Sequence, residues 1–424
     1  MANLFPQFAF WTAAALIAYT YAGYPLWMYL RSRIRPRPWK QAPIEPSVSI
    51  ILAVHNGASL LREKIEHLLS LDYPPELIEV IVVSDGSTDG TNEILRAQQR
   101  PRVRPIICQE HRGKAAALNA GMARATGELL LFVDIRPRLE LKALRFLVSN
   151  FADPEVGCAA GQLVLNNEGH DPGTGAVGGL YWRYEQWIRD CEAKVDSPLG
   201  VYGGFYAVRR TLARPLPDGA ILDDMLQPLS TVRQGYRSVL DKRAIVFDSW
   251  PKTAAGEFNR KVRTLAGNFQ MLQLAPWLLR NENRLRFSLA SHKLLRLLVP
   301  VLLVVVLWAA WALRSASPLY AIVLLGQLAF YLLGALGFAW GTLLGLNRVT
   351  GPANAFCLLN AAVLVGFYKF LFTRGPLWRI WVTAAPTALA PDRHNTRPAL
   401  LQEDTLLPPE NVADDVSRKA YSRS

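Results

Sequence analysis

A chain of 424 residues with 51% apolar and 19% charged residues is too apolar for a wholly soluble protein and long enough for two or three domains. Its net charge of +13 points to an anionic surface or a phosphorylated ligand, and basic residues gathered beside apolar runs favour membrane lipids over nucleic acid. Four scattered cysteines (Cys108, Cys158, Cys191 and Cys357) with no Cys-x-x-Cys pair argue against a zinc site or a disulfide framework and fit a reducing compartment.

Residues 8–30 are apolar, aromatic and free of charge, which is enough to span a bilayer. Arg31, Arg33, Arg35, Arg37 and Lys40 follow directly and no positive charge precedes, whereas a cleavable signal would carry its charge first. The positive-inside rule then puts the amino terminus outside and residue 31 onward in the cytoplasm. A basic linker over residues 31–47, marked by Pro36, Pro38, Pro43 and Pro46, leads into a soluble domain over residues 48–255. Residues 256–292 read as an amphipathic interface region, in which Phe258, Val262, Leu265 and Phe269 share one side with Arg260, Lys261 and Arg263 close by. Residues 293–373 hold three further apolar runs, at 294–313, 319–346 and 353–372, and a polar tail covers 374–424. Four spans would leave that tail outside, while Lys369, Arg374 and Arg379 favour the inside. The side of the tail therefore stays open, with the last span or the stretch 378–381 as a segment that suits the interface.

The soluble part alternates strand and helix signals. Strands are expected at 48–54, 79–83, 103–108 and 128–133, and helices at 60–71, 88–98 and 114–125. That alternation predicts an α/β fold with a doubly wound sheet. Beyond Asp134 come a helix at 139–151, an extended run at 156–164, a mobile Gly-rich stretch at 169–179 and a helix at 180–195. A short strand at 205–208, a loop at 218–224 entering a helix at 225–234, an extended run at 237–247 and a helix at 257–274 complete it.

Asp85 and Asp134 each stand where an expected strand stops. Carboxyl ends of parallel strands share one edge, so the two acids can face one crevice and serve a hydroxylated ligand or a divalent cation; capping of the next turn is the plainer alternative. His55-Asn56-Gly57 closes the first strand at the same edge. Lys114 opens a helix after Arg112-Gly113, a ready anion site. Asp223-Asp224 enters another helix, where two acids either complement its dipole or supply a general base.

Taken together, Val54-His55-Asn56-Gly57, Val83-Ser84-Asp85-Gly86-Ser87-Thr88-Asp89-Gly90-Thr91, Gly113-Lys114-Ala115-Ala116-Ala117-Leu118-Asn119, Phe132-Val133-Asp134 and Leu222-Asp223-Asp224 occur in the order seen in family 2 glycosyltransferases. The chain resembles the membrane-bound, inverting synthases of cellulose, chitin, hyaluronan and poly-N-acetylglucosamine over roughly residues 48–270. The resemblance implies a GT-A fold with a mixed sheet, a nucleotide-sugar donor (a UDP-sugar favoured) and a lipid-linked or growing glycan acceptor at the inner membrane of a bacterial-type cell. It implies donor contacts from Val54, His55, Asn56, Asp85, Lys114, Asp134 and Arg136. Asp223, Gly204, Phe205 and Arg263 would lie on the acceptor side, and Asp224 would be the base. Mg²⁺ or Mn²⁺ would bind Asp134. Two positions depart from the family pattern. Arg136 replaces the second acid of the Asp-x-Asp motif, so metal binding is weakened or Arg136 itself meets phosphate. Thr264 stands where the Gln-x-x-Arg-Trp motif has Trp, which favours the addition of one or a few sugars over long polymerisation. The competing reading is a catalytically inactive nucleotide- or glycan-binding membrane subunit.

Overall fold

The computed structural model describes residues 3–166, 172–249, 254–340 and 347–381. It opens on a helix, α1 (Leu4–Ala18), which continues through a π-turn at Tyr19–Gly23 into α2 (Tyr24–Ile34). Then come β1 (Val48–Val54), α3 (Ala58–Leu69), β2 (Ile78–Asp85), α4 (Thr91–Arg96), β3 (Val103–Cys108), α5 (Lys114–Met122) and β4 (Leu129–Val133). The helix expected at 88–98 starts later because Asp89 accepts the Thr91 N–H at 3.1 Å, which fixes the start of α4. The second half holds β5 (Arg138–Leu139), α6 (Ala143–Ser149), β6 (Val156–Asn166), α7 (Pro172–Val195), β7 (Phe205–Arg209), α8 (Asp223–Arg233), β8 (Arg237–Ser249) and α9 (Ala254–Leu274). The Gly-rich stretch expected to be mobile is helical from Pro172 onward, and its residues 169–171 lie outside the described set. The intrinsic cost of helical glycine, about 1 kcal/mol each, is overridden there by the continuity of a 24-residue helix.

The eight strands form one mixed sheet in the order β3-β2-β1-β4-β7-β6-β8-β5. Strands β1 to β4 are mutually parallel, β7 runs against both β4 and β6, and β6 and β8 are parallel. Apolar residues on both faces explain the unbroken β1 run. Val48, Ile50 and Leu52 pack with Leu61, Ile65 and Leu68 of α3 on one face. Ile51 packs with Ala115 and Leu118 of α5 on the other. Gly121 lets α5 lie close, since a Cβ there would sit 2.6 Å from Ile51 Cγ2. The chain turns to opposite sides between β1 and its neighbours, so a crevice opens at the carboxyl ends of β1, β2 and β4.

After α9 the chain passes through α10 (Arg286–Ser288) and a π-turn (Leu289–Leu294) into α11 (Leu295–Ala312), α12 (Pro318–Trp340) and α13 (Asn347–Phe372), and ends its described part in a 3₁₀ turn at Leu377–Trp381. Among the described residues three helical stretches are long and apolar enough to cross a membrane: Arg286–Ala312, Pro318–Gly337 and Thr350–Phe372. The amino-terminal helix lies against α11, with Phe10 and Ala13 packed on Val306, Ala309 and Ala310. Helix α9 lies along α13, where Gly366 allows close approach to Val262 and Ala266 and where Phe269 meets Phe367 and Phe370. The polar tail expected from residue 374 is described only to residue 381.

Candidate active site

Asp85, the last residue of β2, is 3% exposed. Its carboxylate accepts the N–H of Arg112 at 2.9 Å and of Gly113 at 2.8 Å, and Nδ1 of His111 donates to it at 2.8 Å. A burial that would be costly for a lone carboxylate is offset by these three donors. They fasten the turn that opens α5, so Asp85 sets where Lys114 begins its reach. His55 lies over His111 with ring centroids 3.7 Å apart, and its Nδ1–H donates to the Asp85 carbonyl at 2.8 Å. His111 in turn meets Trp378 edge-on at 4.6 Å.

Asn56 adopts a left-handed backbone (φ 52°), and its Oδ1 accepts the Thr88 N–H at 2.8 Å. Asp89 accepts the N–H of Ala58 at 3.0 Å, joining the starts of α3 and α4. Much of the Ser-Asp-Gly-Ser-Thr-Asp motif therefore locks two loops to each other, and Val54 is buried beneath them.

The crevice centres on Lys114. Its ammonium is 3.0 Å from Asp134 at the end of β4 and 3.2 Å from Asp223 at the start of α8. Burial alone would lower its pKa, but Asp134 and Asp223 raise it above the usual lysine range. Asp223 is 4% exposed, accepts a 3.4 Å hydrogen bond from Tyr206, and is held above the usual carboxylate range chiefly by burial. Asp224, only partly buried, is pushed up to about 6 by burial and by Asp223, against the pull of Lys114 and Arg189. A carboxylate that is ionised at neutral pH yet this basic can take a proton from a hydroxyl. Asp223 and Asp224 form the first turn of α8, so their charge also meets a favourable helix dipole.

Arg136 pairs with Asp248 at 3.4 Å, and the Tyr202 hydroxyl donates to the same carboxylate at 3.0 Å. Lys64 of α3 donates to the Pro137 carbonyl at 2.5 Å, pinning the loop that carries Asp134 and Arg136. Burial pushes the Lys64 ammonium down to about 8, with Asp134 and Asp248 resisting.

Not every expected site residue enters the crevice. Phe205 is 0% exposed and belongs to the core, where its ring fills the space left by Gly161. Gly204 lies against the Tyr202 ring. Arg263 stands on the exposed side of α9, where its charge is felt by Asp223. Sequence reasoning passed over Asp248, Tyr202, Lys64, His111, Arg189 and Trp378. Asp248 was findable, because it ends a strand as Asp85 and Asp134 do. Trp378 was not, since only the fold brings it against Gly113 and Gly219.

A mixed sheet whose carboxyl edge carries a Lys between acids, beside a turn fixed by a buried Asp, is a scaffold of the GT-A kind. The mannosyltransferase PcManGT from Pyrobaculum calidifontis, solved in complex with GDP-Man and Mn²⁺, superposes with a TM-score of 0.66 at 25% identity, covering 85% of this chain and 98% of that one. Residues 49–213 match the glycosyl transferase family 2 model. The chain is 24% identical over 240 residues to the probable glycosyltransferase YdaM of Bacillus subtilis (strain 168), the match covering 54% of this chain and 57% of that protein. It is 23% identical over 239 residues to the poly-beta-1,6-N-acetyl-D-glucosamine synthase of Staphylococcus epidermidis, covering 54% of this chain and 56% of that one. The chain thus spans a little over half the length of these relatives.

Replacing Asp85 by Asn would set an amide nitrogen or a single neutral oxygen against three donors. Leaving a buried donor unmet costs about 1–3 kcal/mol. The Asp85→Asn protein in detergent is expected to melt at a lower temperature and to bind nucleoside diphosphates more weakly. Unchanged melting and binding would show that the turn does not depend on this carboxylate.

Proposed function

We propose that the protein transfers a sugar from a nucleotide-sugar donor to an acceptor held at the membrane face, by one displacement that inverts the anomeric centre. The observation that carries this reading is the Lys114 ammonium fixed between Asp134 and Asp223, with the partly exposed Asp224 of raised pKa beside it. The donor's base would lie by the His55–His111 stack and its diphosphate by Lys114 and Arg136, whose charges suit phosphate. Asp224 would take the acceptor hydroxyl proton as the oxygen attacks, and the nucleoside diphosphate would leave with the bonding electron pair.

The residues fit a divalent cation of the Mg²⁺ or Mn²⁺ kind in a donor-dependent way. Such ions are commonly held by one or two carboxylates plus substrate phosphates and water. Asp134 would provide the carboxylate, since among the described residues no group of three or more metal-ligating side chains comes together. When bound, the ion would neutralise charge on the leaving diphosphate. The solved neighbour holds GDP-Man while the sequence resemblance favours a UDP-sugar, so both UDP- and GDP-sugars belong in the test.

The membrane arrangement follows from parity. Leu377 packs in the same buried cluster as Ala266 and Met271 of α9, and Trp378 lies on Gly113. The end of α13 therefore returns to the catalytic domain's side, which an odd number of crossings after α9 would prevent. We infer that α11 and α12 cross while α13, packed along α9, lies in the interface. The amino-terminal helix crosses beside α11. The cluster Arg31, Arg33, Arg35 and Arg37 then puts the catalytic domain in the cytoplasm of a bacterial-type plasma membrane.

Membranes incubated with labelled UDP- and GDP-sugars, with and without Mg²⁺ or Mn²⁺, are expected to transfer or hydrolyse one of them. Loss of the base in Asp224→Asn should lower transfer about 10²–10⁴-fold with donor binding kept. Because Asp224 must be ionised and titrates at about 6, kcat/KM should be level above that pH and fall roughly tenfold per unit below it. Donor binding without turnover in the unaltered protein would instead support a non-catalytic subunit. For the topology, a membrane-impermeant thiol reagent on intact cells should label Ser315→Cys but not Arg374→Cys. Equal labelling of both would refute the two-crossing arrangement.

A further inference from the structure

Where α7 meets the start of the Arg286–Ala312 helix lies a dense knot of buried charge that the transfer step does not use. Glu185 of α7, whose side chain is 4% exposed, is met by Lys293 at 2.7 Å, Arg296 at 2.7 Å, His292 at 3.2 Å and Arg189 at 3.3 Å. Lys293 and Arg296 begin the Arg286–Ala312 span, whereas Arg189 belongs to the catalytic domain and pulls on Asp224. The second carboxylate nearby, Glu192, is engaged by His292 at 2.7 Å and by the Tyr24 hydroxyl at 2.7 Å. Lys261 of α9 lies close enough for Arg189 to repel it, and burial pushes its ammonium down to about 8.

Among the described residues, three basic side chains thus converge on Glu185, with Glu192 beside it as the second carboxylate. Their side chains are only 12–18% exposed. Lysines and arginines at a membrane face ordinarily extend toward the headgroups and keep their charge in water. These turn inward, packing the Arg189 guanidinium over Trp182 and the Arg296 guanidinium over Tyr184. Concentrated charge at low exposure is costly without counter-charge. A phosphate offers one to two negative charges and oxygens that suit a guanidinium fork. The knot's place at the start of a membrane span selects a phosphate borne by a lipid.

Resting on the glycosyltransferase reading, we propose that Arg189, Lys293 and Arg296 receive the phosphate of a lipid-linked acceptor, an amphiphile with a phosphate or diphosphate between its hydrocarbon tail and its nucleophilic hydroxyl. The tail lies along the membrane helices, and the hydroxyl reaches Asp224. In the transfer, the hydroxyl oxygen bonds to the anomeric carbon and its proton passes to Asp224. The bond from that carbon to the donor phosphate breaks, and the electron pair leaves on the nucleoside diphosphate. The lipid phosphate itself is unchanged.

The test uses the full-length protein in phosphatidylcholine nanodiscs, with binding of a prenyl phosphate and of the prenol of equal length read by native mass spectrometry. The phosphate is expected to bind at least about tenfold more tightly, the effect of one or more charge-assisted contacts. Lys293→Gln should remove most of that preference and Lys293→Arg should restore it, with nucleoside diphosphate affinity unchanged in both. Equal binding of phosphate and alcohol by the unaltered protein, which needs no variant to fold, overturns the proposal. So does a preference that survives Lys293→Gln. If phosphatidylglycerol in the nanodisc displaces the prenyl phosphate completely, the knot is a site for bilayer lipid and the acceptor assignment falls. A preserved phosphate preference with no turnover of any nucleotide sugar overturns the transferase reading and leaves the phosphate site standing.

Discussion

The Lys114 ammonium, 3.0 Å from Asp134 and 3.2 Å from Asp223, joins the end of β4 to the start of α8 across the crevice. Three acids, of which Asp223 is buried, would otherwise face one another there, and like charges so close cannot all ionise at ordinary cost. Lys114 holds two of them as ion-pair partners and opposes the upward shift of the third. Its own position is set one step earlier, because Asp85 binds the N–H groups of Arg112 and Gly113 and so fixes the turn from which α5 starts. The buried acid at the end of β2 and the ammonium in the crevice thus form one mechanical unit. The first places the second, and the second makes the acids usable.

The framework of this unit was readable in the sequence because its signals are local. Continuous apolar runs gave β1 and β4 nearly to the residue, and an abrupt stop at a small polar cluster marked the functional edge. Order in the chain then carried the resemblance to family 2 glycosyltransferases. What the sequence hid was pairing. The end of β2 marks Asp85 for the functional edge, but does not show that its carboxylate accepts three hydrogen bonds from the turn that opens α5. Arg136 looks like a lost metal ligand, yet it finds Asp248, which comes from a strand more than a hundred residues later. Phe205, which the resemblance sets on the acceptor side, has its ring in the core, where alternation along β7 turns it. Each case turns on long-range packing that spacing does not encode.

The apolar helices do more than pack on one another. Among the described residues they touch the mixed-sheet domain at the Glu185 knot, the α2–α7 contact, the α9–α13 seam and the turn at Leu377–Trp381. The last of these lays Trp378 over Gly113, the residue before Lys114, and against His111, which binds Asp85. Segments far apart in the chain thus converge on the same buried acid. Residues 353–372 lie within a helix apolar enough to cross, and Leu377 just beyond it packs in the same buried cluster as Ala266 and Met271 of α9.

The central claim is that Lys114 organises a diphosphate-binding crevice. Calorimetric titration of UDP and GDP into the full-length protein and its Lys114→Gln variant tests it most directly. Loss of a charge-assisted contact to diphosphate should weaken binding of the preferred nucleotide by at least about tenfold. Unchanged affinity in a variant that melts like the unaltered protein would contradict the account.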